Sequence, residues 1–125
     1  MKKRFRLKTI LDFAAAHRLQ GYAGDCAKLH GHNWKVEVHV VGDQLDEVGM
    51  VLDFKQIKQH AKAVIAELDH TYLNDHPWFQ QRNPTAENLA LFLFETLSER
   101  INTATYQVDA ITVWENERNC VTYGC

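Results

Sequence analysis

The stretch "DCAKLHGHN", residues 25–33, sets Cys26 just ahead of His30 and His32 in a His-Gly-His triplet, and a third imidazole, His17, precedes them in "FAAAHRL". Neutral imidazole is a common zinc ligand, and tetrahedral zinc gathers three or four N or S donors at roughly 2.0–2.3 Å. Cys26 admits two readings. As a fourth ligand it closes the shell and makes the site structural; left free, it lies beside a metal with an open position, whose charge favours the thiolate, a good proton acceptor. The short loop between Cys26 and His30 allows either.

Two further places carry chemistry. Asp69 and His70 are adjacent in "ELDHTYLND", and a carboxylate that orients an imidazole makes a proton relay. Glu115 closes an apolar run in "VWENE". A buried carboxylate needs donors, and a ligand with adjacent N–H groups would supply them. His39 falls on the charged side of its strand, while His60 and His76 fall in helix or loop without partners; no role is assigned to these.

The elements that must position these residues follow from periodicity. Phe5, Leu7, Thr9, Leu11 and Phe13 alternate with Arg4, Arg6, Lys8, Ile10 and Asp12, a period of two that means a strand. Continued, the alternation places Ala15 and His17 on the face of Phe13. A second strand sets Trp34, Val36, Val38 and Val40 opposite Lys35, Glu37 and His39, and traced backwards it puts His32 and His30 on the Trp34 face. Apolar positions from Phe54 to Leu68 recur at three and four, a helix opened by Asp53 as N-cap with Gln56 three residues on. A second helix follows "NPTAEN" through Leu89, Leu93, Leu97 and Ile101, with Pro84 suited to its first turn. "YQVDAITVWEN" and "CVTYGC" read as two closing strands. The order β-β-α-α-β-β predicts an α+β domain over residues 1–125, an antiparallel sheet with helices on one face. Ala110–Trp114 is apolar except at Thr112, so both faces of that strand are expected to be buried, by another subunit or by a loop over Trp114.

Composition narrows the function. A net charge of -2 leaves no positive field to hold a nucleic acid or an anionic membrane. The one basic run, "KKRFRLK", alternates with Phe5 and Leu7 and reads as a solvated strand face. No apolar stretch approaches a membrane span of ~18 residues, and Arg6, Lys8 and Asp12 interrupt any signal-peptide core. Three cysteines without a C-x-x-C pair indicate neither a disulfide framework nor a four-cysteine zinc site. A cytoplasmic protein is expected.

"FAAAHRL", "CAKLHGHN", "GMVLDF", "LDHTYLN", "NPTAENLA" and "VWEN", in that order over most of the chain, resemble the 6-pyruvoyl-tetrahydropterin synthase / 6-carboxy-tetrahydropterin synthase family. The resemblance implies a tunnelling fold, in which subunit sheets join edge to edge into a barrel with helices outside, and a homo-oligomer, commonly a hexamer of two trimers. It implies zinc on His17, His30 and His32, with Cys26 catalytic and off the metal. An Asp-His relay at Asp69 and His70, a pterin-anchoring carboxylate at Glu115 and a pterin neighbour at Thr85 are implied likewise.

The spacing Cys-x-x-x-His-Gly-His resembles the bacterial 6-carboxy-tetrahydropterin synthases of queuosine biosynthesis. That implies conversion of 7,8-dihydroneopterin triphosphate to 6-carboxy-5,6,7,8-tetrahydropterin, acetaldehyde and triphosphate. The reaction is an internal redox, and the chain has no glycine-rich dinucleotide loop. Two alternatives stand beside it: a 6-pyruvoyl-tetrahydropterin synthase, and a zinc-stabilised pterin-binding module without turnover.

Overall fold

The alternation that opens the chain becomes one long strand. In the computed structural model, which describes residues 2–24 and 28–125, β1 spans Phe5–His17 and β2 spans His30–Gly42. They pair antiparallel without a slip, from Phe5 opposite Gly42 to His17 opposite His30. A slip of one residue would send every side chain to the opposite face. The unbroken register therefore keeps Phe13, Ala15 and His17 on the face of Trp34, His32 and His30. Trp34, Val36, Val38 and Val40 on that face are fully buried.

Asp53 caps α1 (Phe54–Ile65) by accepting from the Lys55 N–H at 2.8 Å. The helix ends before Leu68, because the Glu67 and Leu68 amides turn back to Val64 and Ile65 in a tighter winding. Leu68 is still fully buried, so its spacing reported burial rather than helix. In α2 (Ala86–Ile101) the predicted Leu89, Leu93, Leu97 and Ile101 all face the core. Its N-cap is Thr85, so Pro84 stands one residue before the cap and outside the first turn.

β3 (Thr71–Tyr72), β4 (Tyr106–Trp114) and β5 (Cys120–Gly124) complete a five-stranded sheet of order β3-β1-β2-β4-β5. The expected sheet was wholly antiparallel. The chain departs from that at β3, which pairs parallel to β1 through Ala15 and Ala16. α1 packs on β1, and α2 on β4 and β5. Among the described residues no helix is long and apolar enough to cross a membrane.

Both faces of β4 are buried, as expected, but within a single chain. Val108, Ile111 and Val113 join the core. On the other face Asp109 pairs with Arg6, the Thr112 hydroxyl meets that of Thr122 at 2.7 Å, and the Trp114 indole donates to Glu37 at 2.6 Å. Trp114 itself is half-buried, and Lys35 lies 4.4 Å from the centre of its ring. The basic run behaves as a strand face, with Lys2 on Asp43 at 2.6 Å and Lys8 on Glu37 at 4.0 Å.

The last strand tolerates nothing larger than glycine at its end. A Cβ on Gly124 would overlap the Asp109 carbonyl and Ala110, where the Cys125 amide donates to that carbonyl at 2.9 Å. Gly124→Ala is expected to cost about 1–3 kcal/mol, read as a lower midpoint in chemical denaturation.

Candidate functional site

At the end of the β1–β2 ladder the three imidazoles converge. His17 Nε2 stands 3.0 Å from His30 Nε2 and 3.1 Å from His32 Nε2, and one donor atom from each lies within 4.8 Å of the others. Their other nitrogens fix the protons. His17 Nδ1 is 2.8 Å from the Pro84 carbonyl, and His30 Nδ1 is 2.9 Å from that of Lys28. A carbonyl only accepts, so both Nδ1 atoms carry hydrogen and both Nε2 atoms present lone pairs.

Two lone pairs face to face share no proton and repel until a cation sits between them. Tetrahedral zinc with ligands at ~2.0–2.1 Å sets neighbouring nitrogens about 3.3 Å apart, close to the spacing here. Imidazoles that bind metal hold their other N–H on a carbonyl or carboxylate in this way. The donor set fits a metal ion.

The cluster rests on aromatic packing. The Trp34 ring lies 4.2 Å from His32 and 5.0 Å from His17, centre to centre, and Phe13 stacks on Trp34 at 6.1 Å. His17 is wholly buried. Burial, aided by repulsion from His30 and His32, holds its imidazole below the ordinary value against the Pro84 carbonyl and Glu115. The neutral form that binds metal is thus favoured.

Glu115, expected to be buried, is a half-exposed rim residue. Its Oε1 stands 3.7 Å from His17 Nε2 and 4.0 Å from His32 Nε2, beyond hydrogen-bond distance but close enough to add negative charge. Asp69 and His70 grip one residue of β1: Asp69 Oδ1 accepts from the Ala14 N–H at 2.9 Å, and the His70 N–H donates to the Ala14 carbonyl at 2.6 Å. The His70 ring is exposed, with Nε2 3.6 Å from Asp69 Oδ1, an ion-pair distance longer than a hydrogen bond. His70 and His32 line the same open cleft of about 550 Å³. Thr85 Oγ1 accepts from the Asn88 N–H at 3.0 Å as the cap of α2, which leaves its own hydrogen free to donate. Cys26 lies outside the described residues.

Residues 6–125 match a family model described as 6-pyruvoyl tetrahydropterin synthase. The chain belongs to this family. A *Bacillus subtilis* protein named 6-carboxy-5,6,7,8-tetrahydropterin synthase is 32% identical over 118 residues, 90% of this chain and 79% of that one. A *Synechocystis* protein of the same name is 40% identical over 92 residues, 70% of each chain. The solved structure of *Caenorhabditis elegans* 6-pyruvoyl tetrahydropterin synthase superposes with a TM-score of 0.86 at 28% identity, covering 98% of this chain and 96% of that one. The five-stranded sheet with two helices is thus the tunnelling fold of the synthase family.

Sequence reasoning missed two supports of this histidine cluster. Trp34 was visible on the right face by alternation and passed over as core. Pro84 carried no local signal, since its carbonyl meets His17 from 67 residues away.

Two measurements probe this geometry. His70 sits in the left-handed region at φ 59°, which costs a residue with a Cβ roughly 1–2 kcal/mol. His70→Gly is expected to be about 1 kcal/mol more stable than His70→Ala, as judged by denaturant melts. For the metal-free protein, His17 has a folded pKa below its ordinary 6.5. Below 6.5 the unfolded chain takes up a proton that the native state refuses, so stability is full above that value and declines as pH falls. Melting temperatures should drop on acidification from pH ~7.5 to ~5.5, less steeply in His17→Gln.

Proposed function

We propose that this chain is a zinc-dependent 6-carboxy-5,6,7,8-tetrahydropterin synthase, a single domain over residues 1–125. It acts on 7,8-dihydroneopterin triphosphate and serves queuosine biosynthesis. The observation that carries the reading is the convergence of the Nε2 atoms of His17, His30 and His32, in a family chain whose relatives at 32% and 40% identity bear that synthase name.

His17, His30 and His32 would hold the zinc, which when bound supplies Lewis acidity to the substrate's side-chain hydroxyls and the adjacent C–H. Glu115 stands beside those imidazoles, where its carboxylate accepts N–H groups from the pterin edge, and Thr85 donates nearby. Cys26, as thiolate, takes a proton from the side chain. His70, which shares a cleft with His32 and is oriented by Asp69, moves the second proton. Triphosphate leaves by elimination, and water then adds at the side-chain carbon next to the ring as the bond to the two-carbon end breaks, which leaves the carboxylate and releases acetaldehyde. The chain works in the cytoplasm as a homo-oligomer, a hexamer of two trimers joined through sheet edges.

Likeness to a 6-pyruvoyl enzyme at 28% identity over nearly the whole chain favours a second reading, in which the same site stops at 6-pyruvoyl-tetrahydropterin.

The test is an anaerobic incubation of zinc-loaded protein with 7,8-dihydroneopterin triphosphate, products resolved by mass. The expected product is 6-carboxy-tetrahydropterin with acetaldehyde, and Cys26→Ala should keep its zinc while turnover falls about 10²–10⁴-fold. A pyruvoyl product selects the second reading. An inert wild type whose Cys26→Ala variant sheds zinc makes the cysteine a ligand and the domain a binding module.

A further inference from the structure

His17 is both a member of the imidazole cluster and the last residue of β1, so backbone pairing with β2 ends at the residue whose placement matters most. On its other side β3 supplies backbone partners only at Ala15 and Ala16. Beyond these points side chains take over as ladder rungs. Asn74 Oδ1 accepts from the Arg18 N–H at 2.9 Å while its Nδ2 donates to the Arg18 carbonyl at 2.8 Å. Asn83 repeats this at Gln20, accepting at 2.9 Å and donating at 2.8 Å.

Each carboxamide thus satisfies both backbone groups of one residue, alternate residues in turn, as a neighbouring strand would. The clamps are themselves anchored. Gln80 Nε2 donates to the Asn74 carbonyl at 2.9 Å, and Asn88 Nδ2 donates to the Asn83 carbonyl at 2.8 Å. Asn83 is followed directly by Pro84, whose carbonyl takes the His17 Nδ1–H. Residues 83 and 84 therefore grip residues 20 and 17 at once.

We infer that Asn74 and Asn83 are positioning residues that replace the missing strand partners beyond β1 and hold His17 in the single tautomer whose Nε2 lone pair faces His30 and His32. With the clamp lost, the chain after His17 separates from Pro84, Nδ1 loses its acceptor, and the proton exchanges between the two ring nitrogens. The consequence for metal affinity rests on the proposed function; the consequence for the ring does not.

The experiment uses ¹⁵N-histidine spectra of the metal-free protein to read the His17 tautomer, and Co²⁺ titration by visible absorption to read affinity. Asn83→Ala and Asn74→Ala are compared with Asn102→Ala, which removes an amide-to-backbone bond of 2.8 Å to Val108 remote from the cluster. The wild type should show one tautomer with Nδ1 protonated. Asn83→Ala and Asn74→Ala should show a mixture and bind Co²⁺ about 10–100-fold more weakly, while Asn102→Ala lowers only the melting temperature. Should Asn83→Ala fail to fold, Asn74→Ala carries the same reading. The inference is overturned if both clamp variants keep the single tautomer, or if Asn102→Ala mixes it equally. A wild type that binds no Co²⁺ overturns the metal reading instead, and the ring spectra alone then decide the clamp.

Discussion

The unslipped register of β1 against β2 is the constraint on which the site depends. His17, His30 and His32 come from two strands and reach one point because Ala15 stands opposite His32 and His17 opposite His30. The period of two then turns all three toward Trp34. Buried Leu11, Phe13, Val36 and Val38 on the same face enforce the register, since a slip would expose them all. The apolar pattern that folds the sheet is therefore also what aims the three imidazoles at one point.

Folding alone does not favour what the register delivers. The neutral His17 and His30 imidazoles point Nε2 lone pairs at one another and form no hydrogen bond between them, and His17 does so with no exposure to solvent. The Pro84 and Lys28 carbonyls, which place the protons of His17 and His30 on Nδ1, also prevent relief by a change of tautomer in those two rings. The cost is borne by the surrounding core, and a cation removes it. Local strain recurs at His70, which keeps a left-handed backbone while both its amide and the Asp69 carboxylate are tied to Ala14. The two places that look unfavourable are the two for which chemistry is proposed.

Much of this was legible in the sequence. Alternation placed Trp34 and the three histidines on one face, Asp53 announced α1, and the leucines of α2 were all assigned to the core. What was not legible depends on long-range geometry. Nothing near Pro84 or Asn83 signals that they meet residues 17 and 20, because those contacts exist only once α2 is docked. The parallel pairing of β3 rests on two residues and has no period to read. Glu115 was expected inside by its apolar neighbours, yet the strand ends at Trp114 and the chain turns outward. Cys26, so prominent in sequence, lies outside the described residues, and its role is argued from the resemblance and chemistry alone.

The sheet's two faces divide the work. The helix side is apolar and fixes the imidazoles. The other side is built from charges that satisfy one another, with Glu37 at the centre, within reach of Lys8, His39 and the Trp114 indole. Burial pushes its carboxyl up, but hydrogen bonds from Trp114 and His39 and the Lys8 charge outweigh that and hold it below the usual range. Glu37 therefore stays ionised and keeps β2 joined to β4 beside the bulge at His39 and Val40. A face whose central charges are already paired can meet water or a polar neighbour without rearranging. The strand edges differ from that face, since β5 and the first half of β1 carry backbone groups with no strand beside them among the described residues, and the pairing between subunits proposed above would form there.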